Sequence, residues 1–276
     1  MMADAYVSLL ARIEAATASG PTPFVVGLSG AQGSGKSTLA QQWMQRMQTR
    51  GLSCVTLSLD DFYLTRAERR ALSERVHPLL ATRGVPGTHD VALALETLAA
   101  LAETRSVALP SFDKARDDRR PATEWSRVRA PVQVIIFEGW CVGAVPQDER
   151  LLAAPLNTLE REHDADGRWR RYVNATLGRE YQTLFRKLDL LVLLKPPSFD
   201  VVFEWRRQQE LALRRHDSTA VGVMTDDQLH GFIQHYERLT RHILEEMPAR
   251  ADVVIELDAR RNPVPAPASR STAGEG

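Results

Sequence analysis

Eight residues near the start of the chain, Gly30-Ala-Gln-Gly-Ser-Gly-Lys-Ser37, set glycines, a lysine and a hydroxyl at the spacing GxxxxGK[ST]. Glycines in such a run permit a tight turn whose backbone N–H groups point inward. An anion seated there also meets the positive end of the helix that follows. The lysine reaches the outer phosphates of a nucleoside triphosphate, and the hydroxyl after it suits a hard divalent cation. On that chemistry Gly30, Gly33, Ser34, Gly35, Lys36, Ser37 and Thr38 are the candidate triphosphate ligands, with Ser37 also a metal ligand. Acids supply the other half. Asp60 and Asp61 close one apolar run and Glu138 closes another. A hydroxyl attacking a γ-phosphate needs a carboxylate near its proton, the role given to Asp60 with Asp61 as the alternative. Glu138 stands where an acid meets Mg2+ directly or through water.

These residues need elements to hold them. Short β-branched and leucine-rich runs alternate with longer stretches of helical period, the pattern of a parallel sheet covered by helices. Strands are expected over 24–29, 53–59, 132–137, 188–194 and 252–257. Helices are expected from the Gly-rich turn to about Arg50, then over 91–103, 169–187, 199–215 and 225–247, with Asp90 and Thr225 as N-caps. In such sheets ligands gather at the carboxyl ends of the strands, where the Gly-rich turn, Asp60 and Glu138 all fall. The Asp60 strand is expected to neighbour the strand that feeds the turn. An amphipathic helix on Leu9, Leu10, Ile13 and Ala16 precedes the first strand, and 111–129 and 146–167 read as loops or insertions. The expected fold is α/β: a three-layer P-loop NTPase arrangement, mostly parallel sheet flanked by helices, with a helical lid. It forms one domain over 1–261, with 1–20 as the N-terminal helix. Residues 262–276, rich in Pro, Ala and Ser, are expected to be a disordered tail.

The 35 Lys and Arg balance 35 Asp and Glu, so the bulk attraction that draws a nucleic acid or an acidic membrane is missing. No stretch approaches the roughly 18 apolar residues of a membrane span, and no signal peptide is evident. Neither kind of partner is expected. Cys54 and Cys141 lie far apart with no CxxC or Cys/His ladder, which argues against a disulfide framework or a zinc site. That usage fits a soluble protein of a reducing compartment, the cytoplasm.

Other charges cluster. Arg206, Arg207, Arg214 and Arg215 share one expected helix, and guanidinium groups on a closing lid would stabilise the charge of a transferring phosphoryl group. Thr88, His89 and Asp90 offer a hydroxyl, an imidazole and a carboxylate ahead of a helix. Asp113 and Lys114 pair a hydroxyl acceptor with a cation suited to a carboxylate. His230, His235 and His242 share no metal-ligand spacing and read as surface residues. Trp140 and Trp205 read as packing, and Cys141 as inert.

Asp60-Asp-Phe-Tyr63 after a P-loop resembles the phosphoribulokinase, uridine kinase and pantothenate kinase superfamily. More narrowly, the chain resembles the plant and bacterial D-glycerate 3-kinase family. The matching segments are Gly84-Val-Pro-Gly-Thr-His-Asp90, Leu109-Pro-Ser-Phe-Asp-Lys114, Phe137-Glu-Gly-Trp140, Val173-Asn174, Trp205-Arg-Arg-Gln-Gln-Glu210 and Met224-Thr-Asp-Asp227. Its Ala115-Arg-Asp-Asp-Arg119 is shorter than the family's usual stretch and lacks its glycine. The resemblance implies an ATP- and Mg2+-dependent kinase of a small hydroxylated metabolite, D-glycerate at its 3-hydroxyl. It implies that Arg206 closes over the transferred group and that Asp61, Tyr63, Thr88, His89, Asp90, Asp113 and Lys114 surround the acceptor. Two rivals use the same turn: a kinase of a nucleoside- or pantothenate-like alcohol, and an ATPase with no small acceptor. A Ras-type GTPase would need Asn-Lys-x-Asp, which does not occur.

Overall fold

The five apolar runs form one parallel sheet, and their alternation decides what each face meets. The computed structural model describes residues 2–20, 22–103, 105–216 and 225–264. In chain order the elements are α1 (Met2–Ser19), β1 (Phe24–Gly30), α2 (Lys36–Thr49), β2 (Cys54–Ser58), α3 (Arg66–Arg75) and α4 (Val91–Ala100). Four short strands follow: β3 (Ser106–Ala108), β4 (Phe112–Asp113), β5 (Asp118–Arg119) and β6 (Arg127–Arg129). The rest is β7 (Val134–Gly139), α5 (Thr158–His163), α6 (Arg168–Thr176), α7 (Gln182–Phe185), β8 (Leu190–Lys195), α8 (Asp200–His216), α9 (Asp226–Glu246) and β9 (Val253–Glu256).

The sheet order is β2-β7-β1-β8-β9, every pair parallel. This corrects one expectation: β7, not β2, lies beside the P-loop strand. The cause is burial. All six residues of β7 are buried, whereas Thr56 and Ser58 of β2 are only half-buried and tolerate the sheet edge. Glu138 consequently pairs in register with Leu28 on one side and Ser58 on the other.

Alternate residues then serve opposite layers. Val134, Ile136, Leu190, Val192 and Leu194 pack with Leu9, Ile13, Trp43, Met47 and Trp205 from α1, α2 and α8. Ile135, Phe137, Leu191 and Leu193 pack with Leu98, Leu184, Tyr236, Leu239 and Ile243 from α4, α7 and α9. The expected helix over 169–187 is present but interrupted by a π turn, Leu177–Tyr181, that carries Tyr181 into the second layer. The stretch read as loop over 111–129 contains the antiparallel pair β4 with β5, and its β6 pairs antiparallel with β3 just before it. Asn262 to Val264, placed in the tail by composition, instead turn back: Val264 N donates to Glu256 O at 2.8 Å. Residues 265–276, the remainder of that tail, lie outside the described residues. Among the described residues no helix is long and apolar enough to cross a membrane. His235 and His242 are half-buried instead of lying on the surface, each with a buried Nε2.

α3 was not expected, because its arginines and glutamates hide any apolar period. Its start is fixed by a capping box in which Thr65 N donates to Glu68 Oε2 at 2.7 Å and Glu68 N to Thr65 Oγ1 at 3.3 Å. Arg69, 1% exposed, donates to the carbonyls of Leu64, Ala81 and Asp117 and pairs with Asp117 Oδ2 at 3.0 Å. One side chain thus ties α3 to two segments that border the site. Removing a partner from a buried charge network strands the others. Arg69→Met is expected to lower the unfolding free energy by about 3 kcal/mol, read by urea denaturation; a loss below about 1 kcal/mol would show that the network is not holding these segments.

Candidate active site

β1 ends at Gly30 and the chain turns back into α2 at Lys36. Gly33 and Gly35 take left-handed φ values of 78° and 88°, which side chains rarely adopt. A Cβ on Gly33 would meet Trp205 Cβ at 2.7 Å, whereas one on Gly35 would meet nothing within 4 Å. Gly33 is therefore clamped, and Gly35 faces open space at a helix N-terminus whose first N–H groups have no intrahelical partner. Arg261 braces the turn from behind, donating from Nε to Gly33 O at 2.7 Å and from Nη2 to Gln208 Oε1 at 2.8 Å. Sequence reading had no signal for it. Ser34 is buried within the turn, and Thr38 is exposed on the first turn of α2, away from the cavity described below.

The strand-end acids converge on that turn. Ser37 Oγ donates to Glu138 Oε1 at 2.8 Å. Asp60 lies in a short 3-10 turn, Leu59–Phe62, just past β2. Tyr63 Oη donates to its Oδ1 at 2.8 Å and Lys114 Nζ to its Oδ2 at 2.7 Å. Burial pushes the Asp60 carboxyl up, but Lys114, Lys36 and the two hydrogen bonds outweigh it, leaving it well below the usual carboxylate range. It is an ionised acceptor at neutral pH. Tyr63, pushed well above its ordinary value by burial and by Asp60, stays protonated and donates.

The remaining acceptor candidates divide. Lys114 reaches the site. Asp61 does not line it: Oδ1 accepts from Phe112 N at 3.1 Å and helps seat β4. Thr88, fully buried, donates to Val85 O at 2.7 Å and accepts from Gly84 N at 3.0 Å, so its hydroxyl holds a turn instead of facing an acceptor. Asp90 caps α4 through Leu93 N at 3.0 Å and accepts from Arg119 at 3.2 Å. Asp113 caps the backbone of Ala115 and Arg116 and pairs with Arg120 at 2.9 Å. His89, buried and pushed down to about 3 by desolvation, is a neutral ring stacked on Tyr63 at 4.5 Å, with Nδ1 2.6 Å from Tyr181 Oη. It stands behind the site, supporting Tyr63.

Two cavities lie on either side of that stack. The larger, about 670 Å3, is walled by Leu64, Leu72, Val91 and Leu95 and holds neither the phosphate turn nor Asp60. The smaller, about 200 Å3, is lined by Lys36, Ser37, Asp60, Lys114, Glu138 and Arg206, all singled out from the sequence. Size alone would select the first; the charges and the phosphate turn select the second. Arg206 comes from α8, with its guanidinium 6.0 Å from the Phe232 ring. Gln32, Ser58, Arg83 and Tyr236 also line this cavity and were not singled out. Trp140, read as packing, does pack, donating from Nε1 to Gly84 O at 2.9 Å, and its edge borders the cavity.

A phosphate turn at the end of a central parallel strand, with acids at the ends of the next two strands, defines an α/β P-loop kinase. The chain belongs to the phosphoribulokinase/uridine kinase family, whose model matches residues 25–152. It is 36% identical over 223 residues, 78% of each chain, to the uncharacterised kinase mug58 of Schizosaccharomyces pombe. It is 32% identical over 261 residues to the chloroplastic D-glycerate 3-kinase of Arabidopsis thaliana, spanning 88% of this chain and 54% of that protein. The solved structure of D-glycerate 3-kinase from Cryptococcus neoformans superposes with a TM-score of 0.73 at 28% identity, over 96% of both chains. The protein is thus an ATP-dependent kinase of this family.

Two outcomes follow from this geometry. Gly35→Ala forces a left-handed alanine into open space, at a cost of about 1 kcal/mol, whereas Gly33→Ala adds a collision with Trp205. Thermal melts should show the larger loss for Gly33→Ala, accompanied by at least tenfold weaker nucleotide binding; equal losses would contradict the clamp. Asp61 is pushed up to about 6, first by burial and then by Asp60 and Glu138, against the Phe112 N–H. The unfolded carboxyl ionises nearer 3.8, so stability falls as pH rises from about 4 to 6, and the penalty is complete above that range. Asp61→Asn should therefore stabilise by about 2 kcal/mol at pH 8 and by little at pH 4. Denaturation curves showing the same difference at both pH values would contradict the assignment.

Proposed function

We propose that this kinase transfers the γ-phosphoryl group of ATP to the 3-hydroxyl of D-glycerate, giving ADP and 3-phosphoglycerate. The observation that carries the reading is the small, highly charged cavity that brings Asp60 together with Lys36 and Ser37. Four cations, Lys36, Arg83, Lys114 and Arg206, line it beside Asp60 and Glu138, a lining that suits a small anionic acceptor next to a triphosphate. The relatives that carry D-glycerate in their names support the same acceptor.

In this reading the N–H groups of the turn and Lys36 hold the β- and γ-phosphates. The acceptor oxygen forms its bond to the γ-phosphorus as the bond to the bridging oxygen breaks, and its proton passes to Asp60. Because the transition state is loose, Asp60 chiefly orients the hydroxyl and takes the proton late, which suits a carboxylate of low basicity. Lys114 and Tyr63 fix its two oxygens. Arg206, facing the cavity from α8, stabilises charge on the equatorial oxygens. Ser37 and Glu138 present hard oxygen donors 2.8 Å apart beside the phosphate turn, the set that Mg2+ takes together with nucleotide phosphates and water. Mg2+ bound there would neutralise charge on the phosphate oxygens. Two buried cysteines, Cys54 and Cys141, fit a reducing compartment, and we assign the reaction to the cytoplasm.

The test is 31P NMR of the purified protein with ATP, Mg2+ and millimolar D-glycerate. The expected product is 3-phosphoglycerate. Lys36→Ala is expected to abolish it, and Asp60→Asn to lower kcat by about 10²–10⁴-fold while ATP affinity stays within about threefold. No 3-phosphoglycerate from the wild-type protein would overturn the acceptor assignment.

A further inference from the structure

Four cationic side chains line the catalytic cavity: Lys36, Arg83, Lys114 and Arg206. The first ends the phosphate turn, the third sits on Asp60, and the fourth faces in from α8. Arg83 lies elsewhere. It shares the Phe112 ring with Tyr63, whose hydroxyl donates to Asp60 at 2.8 Å. The contacts therefore lead from Asp60 through Tyr63 and Phe112 to Arg83, whereas Lys36 belongs to the phosphate turn.

Resting on the proposed function, we infer that Arg83 binds the carboxylate of the acceptor and so selects which hydroxyl is phosphorylated. The guanidinium is held for that purpose. Nη1 pairs with Asp117 Oδ1, and the group lies 5.6 Å from the centre of the Phe112 ring, which itself packs edge-on against Tyr63 at 5.2 Å. Its backbone is pinned by Tyr236 Oη, which donates to Arg83 O at 3.1 Å. Gly84 next to it takes φ 136°, and a Cβ there would collide with the Tyr236 hydroxyl. Among the described residues Nε and Nη2 donate no hydrogen bond, so one planar edge with two donors remains for a ligand. That edge matches a carboxylate, whose charge-assisted pair with arginine is directional. An acid anchored there presents its distal hydroxyl to Asp60. The hydroxyl on the adjacent carbon, one bond nearer the carboxylate, is then held closer to Arg83. A neutral triol has no such anchor.

The experiment compares wild type, Arg83→Ala and Arg83→Lys with D-glycerate and with glycerol, a neutral acceptor of the same length. KM and kcat are measured, and 31P NMR gives the ratio of 3- to 2-phosphoglycerate. Arg83→Ala is expected to raise KM for glycerate by about 10–100-fold, to leave KM for glycerol within about threefold, and to add 2-phosphoglycerate to the product. Arg83→Lys keeps the charge but not the two-pronged edge, so its KM for glycerate falls between the two. If Arg83→Ala fails to fold, the lysine variant carries the test on the same acceptor split. Equal changes for both acceptors, or an unchanged KM with only 3-phosphoglycerate, overturn the inference. A wild-type enzyme that phosphorylates no glycerate overturns the proposed function and this inference with it. Active wild type with an unselective effect of Arg83 overturns this inference alone.

Discussion

The burial of β7 on both faces is the constraint on which the rest of the site depends. Val134, Ile135, Ile136 and Phe137 are fully buried, and a strand apolar on both sides has to lie inside the sheet. That places its terminal Glu138 between the P-loop strand and the Asp60 strand, in register with both. Glu138 is then within hydrogen-bond reach of Ser37 without any loop having to carry it there. An acid anchored on a packed strand keeps its position far better than one on a loop.

Around that fixed acid, charge is arranged in pairs. Asp60 gives one oxygen to Tyr63 and the other to Lys114, and Tyr63 is in turn held by the His89 ring and the edge of Phe112. The buried, neutral His89 supports Tyr63 and, through it, Asp60. The overall neutrality of the chain conceals this local pattern: Lys36 of the turn, Lys114 and Arg206 of α8 surround Asp60 and Glu138 at the strand ends. A small anionic substrate pair fits that arrangement, and a polyanionic polymer does not.

What could be read from the sequence was whatever signals locally. The phosphate turn, the strand-end acids and the five strands each announce themselves within a few residues, and their structure follows. Thr88, Asp90 and Asp113 also looked like acceptor ligands, since an exposed hydroxyl or carboxylate is indistinguishable from one committed to a turn until its backbone partner is known. Arg83 was illegible for the opposite reason. Nothing in Ala81-Thr-Arg-Gly84 marks it, and its backbone is fixed by Tyr236, 153 residues away. The strand order was missed because periodicity distinguishes buried from half-buried strands only when the two are compared directly, as β2 and β7 now can be. α3 left a usable trace, the Thr65…Glu68 capping box, which its charged composition obscured.

In the proposed function, the cavity that joins Lys36 to Asp60 passes phosphate to a small hydroxy acid, not to water. The most direct measurement is the rate of ADP formation from ATP with and without D-glycerate. A glycerate kinase should be nearly idle alone and accelerate at least about 100-fold when the acceptor arrives. Equal rates in the two conditions would contradict the proposed function: appreciable ones would indicate an ATPase, and negligible ones a kinase of another acceptor.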